Sequence, residues 1–374
     1  MIPHQVPAGP LIDMIVRMDA DTSRKVQILR VLAIVAVVVI HTCPTGLSQV
    51  IVRPFVNFGV GLFLFLSGWL TREAGFGMSF FRKRISRVLI PYVIWTVVYS
   101  LQRGVPDKIL FNLLTTKACA AFYYVAVYVQ FVILTPLLCR LADSRFRHAG
   151  WLVAPLAVVL FKYLPLLGVY VQGEYVSVAW NICCLGWFTY YYLGIMCARG
   201  HVQVKTGGTR LAVIYALALL LQVAEGYAWF RFGSPDCGSQ LKLSSLASGA
   251  VAMLIALCYL HSARPVPVPS SLSSEAASVL SSGSVSSSRS SEADSGCLRH
   301  HSPGIVTGLI QVGNFSFGIY LTHILLIRIL SGTTFYAALP FGVNTLLILL
   351  LSLASVMLLS KIIGPRLSRI LGLC

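Results

Sequence analysis

Arg30 and His41 are the pair whose types and spacing point first to chemistry. Both lie in the first long apolar run, Ile28-Leu-Arg-Val-Leu-Ala-Ile-Val-Ala-Val-Val-Val-Ile-His41. Each is costly in hydrocarbon, and an ionisable side chain inside a spanning helix is a candidate functional group by default. Eleven residues of helix separate them, about 16 Å at 1.5 Å per residue. The guanidinium therefore lies near one membrane face and the imidazole well across toward the other. An imidazole at that depth suits a proton relay or general base, or a hydrogen bond that ties two helices together. An arginine near a face holds an anion or snorkels to lipid headgroups. A later run, Ser316-Phe-Gly-Ile-Tyr-Leu-Thr-His323, carries a second histidine at a similar depth.

A different chemistry is written into Phe81-Arg-Lys-Arg-Ile-Ser-Arg87, which puts Arg82, Lys83, Arg84 and Arg87 at the mouth of the third apolar run. Arg84 and Arg87 are three apart and share a helix face. Guanidinium forks bind phosphate bidentately, so the cluster suits a phosphorylated ligand; topogenic charge beside anionic lipid is the other reading. Ser67 and Gly68 end the second run with a small-residue step that permits close helix approach, and Ser67 has no activating base beside it in sequence. Glu225, late in the seventh run, either orients an imidazole or sits at the interface. The tyrosines at 123, 124 and 128 and at 190–192 read as interfacial belts, or as platforms for a sugar ring.

These residues need a membrane scaffold to position them. The 374-residue chain is 57% hydrophobic and 11% charged, with mean hydropathy +0.80, whereas a soluble domain carries roughly 25% charged residues. Runs long enough to span are centred near Val37, Leu62, Ile94, Val129, Val158, Phe188, Leu219, Ala252, Phe317 and Leu350. The sequence thus predicts an all-α polytopic membrane protein of about ten helices, with both termini inside. With that topology twenty-one of the 29 Lys and Arg fall inside and seven outside, Lys162 lying within the fifth run, as positive-inside orientation requires. The net charge of +17 therefore reflects topology, and nucleic acid is not an expected partner.

Four segments follow: a cytoplasmic tail (1–27), a core of helices 1–8 (28–261), a Ser-rich cytoplasmic linker (262–303) and helices 9–10 completing the core (304–374). The linker is too poor in apolar residues to fold. None of the ten cysteines forms a Cys-x-x-Cys pair, and no metal site is expected.

Taken together, these motifs resemble the membrane-bound acyltransferase 3 family. The likeness is carried by Arg30 with His41, by Ser67-Gly68 followed by Leu70, by Arg84-x-x-Arg87 with Ile90-Pro-Tyr92, and by Tyr320-Leu-x-His323. Residues 122–138, with Gln130 and Pro136, and 185–196 look most like the polysaccharide intercellular adhesin type of biofilm acyltransferase or exporter. Gln27 departs from the acidic residue often found there. The resemblance implies transfer of an acyl group from acyl-CoA (acetyl-CoA or succinyl-CoA) to a hydroxyl of a cell-surface carbohydrate or lipid-linked glycan precursor. The setting it implies is a bacterial plasma membrane, beside polysaccharide synthesis machinery. His41 would be the general base, with Arg30 steadying the oxyanion or the thioester and His323 completing the catalytic set. Arg84 and Arg87, assisted by Arg82 and Lys83, would hold the CoA phosphates. Ser67, Gly68 and Tyr320 would be structural parts of the motifs. The competing reading is an exporter or flippase without chemistry, which needs a polar lumen that these runs offer few charges to line.

Overall fold

The computed structural model describes residues 20–71, 75–261 and 304–373. The tail up to residue 19 and the linker 262–303 lie outside the described residues. Every regular element among the described residues is helical.

The first apolar run becomes α1 (Ala20–Thr42), which begins before the run with an Asp21–Lys25 ion pair one turn apart. A short α2 (Leu47–Val52) and a 3-10 turn (Arg53–Phe55) lead into α3 (Phe58–Trp69), and together they make the second span. Then come α4 (Met78–Gln102), α5 (Ile109–Thr115), α6 (Tyr123–Asp143), α7 (Gly150–Val158) and α8 (Leu164–Leu166). Next are α9 (Glu174–Ile182), α10 (Phe188–Ala198), α11 (Gly208–Arg231) and α12 (Leu243–His261). Beyond the linker lie α13 (Gly304–Asn314), α14 (Ser316–Ser331), α15 (Thr334–Ala338) and α16 (Phe341–Ile370).

Eight segments among the described residues are long and apolar enough to cross a membrane. The ninth expected span is a bent pair, α13 and α14, meeting at 69°. The sixth, centred on Phe188, is not one helix: α9 and α10 are separated by extended backbone at Cys183 and a 3-10 turn. Hydrophobicity alone cannot reveal such a break, because the residues on both sides are apolar. The break persists because α6 repairs it. Gln130 Nε2 donates to the Ile182 carbonyl at 2.5 Å, and the Cys184 N–H donates to Gln130 Oε1 at 3.2 Å. Backbone groups freed inside a bilayer need such partners. Gln130→Leu strips both bonds and is expected to cost about 2 kcal/mol or more, read as a lower unfolding temperature in detergent. An unchanged temperature would show that the break is satisfied otherwise.

The core is centred on α3, which touches α1 on one side and α10 on the other. Small residues let these backbones approach, the usual device where lipid supplies no hydrophobic drive for association. A Cβ on Gly59 would lie 2.9 Å from the Ala36 Cβ. Gly68 and Gly194 meet across α3 and α10 so closely that a Cβ on either would lie 2.3 Å from a carbonyl oxygen of the facing helix. Tyr191 of α10 then stacks on Phe131 of α6 at 4.6 Å and pairs its hydroxyl with Thr135 at 2.8 Å. The segment after the linker completes the same bundle, with α13 and α14 packed on α1 and α16 packed on α14.

Candidate active site

Arg30 opens into a cavity of about 800 Å³ at the end of the bundle that the Lys and Arg distribution assigns to the inner side. Residues from α1, α3, α4, α6 and α14 form its wall, together with the ends of α13 and α16. Lys83 and Arg87 stand at the start of α4, one turn apart on one face, and both line it. Ser67 lines it as well, its hydroxyl donating to the Phe63 carbonyl of its own helix at 2.8 Å. Tyr124 and Tyr128, one turn apart on α6, stack at 6.0 Å beside Arg30. Their spacing alone places them on one face, as interfacial belts or as platforms for a sugar ring; what that face meets is set by tertiary packing.

Arg84 and Arg87 are separated in use. Arg84 turns away from the cavity, donating from Nη2 to the Leu70 carbonyl at 3.0 Å and from Nη1 to the Ser67 carbonyl at 3.5 Å. It thereby caps the orphan carbonyls at the end of α3, and its guanidinium lies over the Phe80 ring at 4.7 Å. Arg82 is exposed and does not line the cavity. Arg369, near the end of α16, does line it. Of the four cavity cations, Arg30, Lys83, Arg87 and Arg369, none has a carboxylate partner among the described residues. Cations gathered around one cavity without carboxylate partners give it a positive field that favours anions.

The two histidines come together above the cavity. Their ring centroids are 5.3 Å apart, although 282 positions separate them in the chain. His323 is fully buried. Its Nδ1 lies 3.0 Å from the Ile319 carbonyl, which can only accept, so Nδ1 carries the proton. Nε2 is then a bare acceptor, buried and without a protein partner. Tyr320 bridges the two levels: it lines the cavity, its hydroxyl donates to the Ala121 carbonyl, and its ring lies 6.1 Å from that of His323. Arg53 approaches from the outer side, donating from Nη2 to the Ile40 carbonyl at 3.1 Å, next to His41. In the sequence it is only one of the outer charges. Glu225 does not orient an imidazole; its Oε2 accepts from the N–H and hydroxyl of Ser244 and caps α12.

A family model described as an acyltransferase domain, that of acyltransferase 3, matches residues 24–364. The chain belongs to the acyltransferase 3 family. It is therefore a membrane acyltransferase, and Arg30, His41, Arg84, Arg87, Tyr320 and His323 all lie within the matched residues. No match was found among curated proteins or among solved structures. The family match ends at Gly364, where α16 breaks.

Proposed function

We propose that this acyltransferase takes acyl-CoA into the inner cavity and delivers its acyl group, acetyl or succinyl, to a hydroxyl of a cell-surface carbohydrate or lipid-linked glycan precursor. The setting proposed is a bacterial plasma membrane. The observation that carries the reading is the continuous series from unpaired cations through Tyr320 to the His41–His323 pair. A volume near 800 Å³ suits a ligand of cofactor size. Lys83 and Arg87 grip phosphates at the mouth, and the pantetheine arm rises past Tyr124, Tyr128 and Tyr320.

At the upper end the acceptor oxygen attacks the thioester carbonyl. His41 removes the hydroxyl proton as the C–O bond forms, and returns it to the sulfur as the C–S bond breaks. The bare Nε2 of His323 accepts a hydrogen bond at that level and stabilises the proton on the pair. Arg30 lies about 16 Å of helix below His41, which suits it to holding the donor and puts the oxyanion out of its reach.

The direct test incubates purified protein in nanodiscs with radiolabelled acetyl-CoA or succinyl-CoA and carbohydrate acceptors. Poly-N-acetylglucosamine comes first, given the resemblance of residues 122–138 and 185–196. Label on a glycan is expected; an exporter without chemistry would bind no CoA and label nothing. The two arginines give a finer check. Arg87→Ala is expected to weaken acyl-CoA binding about tenfold or more, whereas Arg84→Ala lowers the unfolding temperature by uncapping α3. Equal loss of CoA affinity in both variants would return Arg84 to the phosphate site.

A further inference from the structure

Residues 364–373 form a hook that supplies part of the cavity wall. Gly364 adopts φ 75°, ψ 171°, a left-handed-side conformation that glycine tolerates, and breaks α16. Pro365 then opens a new turn, held by Ser368 Oγ donating to the Gly364 carbonyl at 2.8 Å. The hook docks on α4 and α14. Trp95 Nε1–H donates to the Leu371 carbonyl at 3.0 Å, and Leu373 is fully buried. Gly372, at φ 68°, is pressed against Pro91 and Phe317, where a Cβ would come within 2.8 Å of each. Across the same contact a Cβ on Gly318 would lie 2.9 Å from the Leu373 carbonyl oxygen.

This docking has a consequence for charge. It carries Arg369 into the cavity wall with Ile370 and Gly372, in the same lining as Lys83 and Arg87 at the start of α4. Arg366, on the same hook, is exposed and does not line the cavity. Apart from Gly364, the hook lies beyond the residues matched by the family model.

We propose that Arg369, delivered by the C-terminal hook, binds phosphate in the donor site as a third cation alongside Lys83 and Arg87. The inference rests on the acyl-CoA reading of the cavity. CoA bears a pyrophosphate and a 3′-phosphate, more charge than a single pair of side chains satisfies, and a hydrogen-bonded guanidinium matches each of those groups. An anionic lipid headgroup offers the same chemistry, so the test separates the two sources.

The experiment compares wild type, Arg369→Gln and Arg366→Gln, full-length, in nanodiscs of zwitterionic lipid, with CoA itself as the probe. Arg369→Gln is expected to weaken CoA binding about tenfold or more. Arg366→Gln is expected to leave it unchanged, and both variants keep the wild-type unfolding temperature because the backbone contacts of Trp95 and Leu373 persist. Acetyl-pantetheine, which has no phosphate, is expected to bind wild type and Arg369→Gln alike. Equal CoA affinity in the two variants overturns the proposal. So does a loss confined to binding of phosphatidylglycerol vesicles, which would assign Arg369 to a headgroup. Failure of wild type to bind CoA, by contrast, overturns the acyl-CoA reading itself.

Discussion

Replacing His41 with glutamine is expected to lower acyl transfer by about two orders of magnitude or more while acyl-CoA still binds. Glutamine keeps a similar length and a polar end but cannot take up a proton near neutral pH. The cavity proposed to receive the donor does not include His41, so donor affinity and chemistry should separate: kcat falls and binding of CoA does not. His323→Gln should also lower kcat, since it removes a bare buried acceptor on the ring that lies 5.3 Å from His41 by centroid. Near-normal transfer in the His41 variant would exclude it as the base and leave His323 as the next candidate.

Gly68→Ala is expected to be among the most damaging substitutions of a small residue. The new Cβ would lie 2.3 Å from the Tyr191 carbonyl oxygen and 3.2 Å from its carbon, and both are backbone atoms with no freedom to swing away. Helices α3 and α10 must separate, and overpacking of this kind costs about 1–3 kcal/mol or more. Gly194→Ala should do the same from the other side, since its Cβ meets the Phe65 carbonyl oxygen at 2.3 Å. Once one substitution has parted the helices, the second adds little, so the double variant should be less unstable than the two effects summed. Unfolding temperatures in detergent read this directly, and full additivity would show that the two glycines do not share one contact. Ser67 and the Arg84 cap sit beside this crossing, so CoA affinity should fall in the same variants.

Several features were legible because they depend on local composition. The apolar runs and the bias of basic residues define the membrane class, and eight of the expected spans appear as such. The two histidines could be matched in depth by counting residues along two spans, the first and the ninth, that the expected topology runs in the same sense from inside to outside. That reasoning holds because the rise per residue is constant. The broken sixth span was not legible: its segments are apolar on both sides, and the group that satisfies the break, Gln130, lies more than fifty positions away. Arg84 and Arg87 look equivalent by periodicity, yet one meets the end of α3 and the other meets open space. Which happens depends on where another helix stops.

The sequence by itself determined that this chain lies in a membrane and how far along its apolar runs the ionisable groups stand, because hydrophobicity and helical rise are local properties; the bias of basic residues sets the expected orientation. Its ordered motifs also carried the family. Only the tertiary structure decided that His41 and His323 face one another, that His323 presents an unprotonated Nε2, and that Arg369 joins Lys83 and Arg87 around one cavity. Those facts depend on close approaches between distant segments, set by glycines at helix crossings and by a kink at Gly364. A small residue permits a crossing, but only the packed partner determines what the crossing brings together.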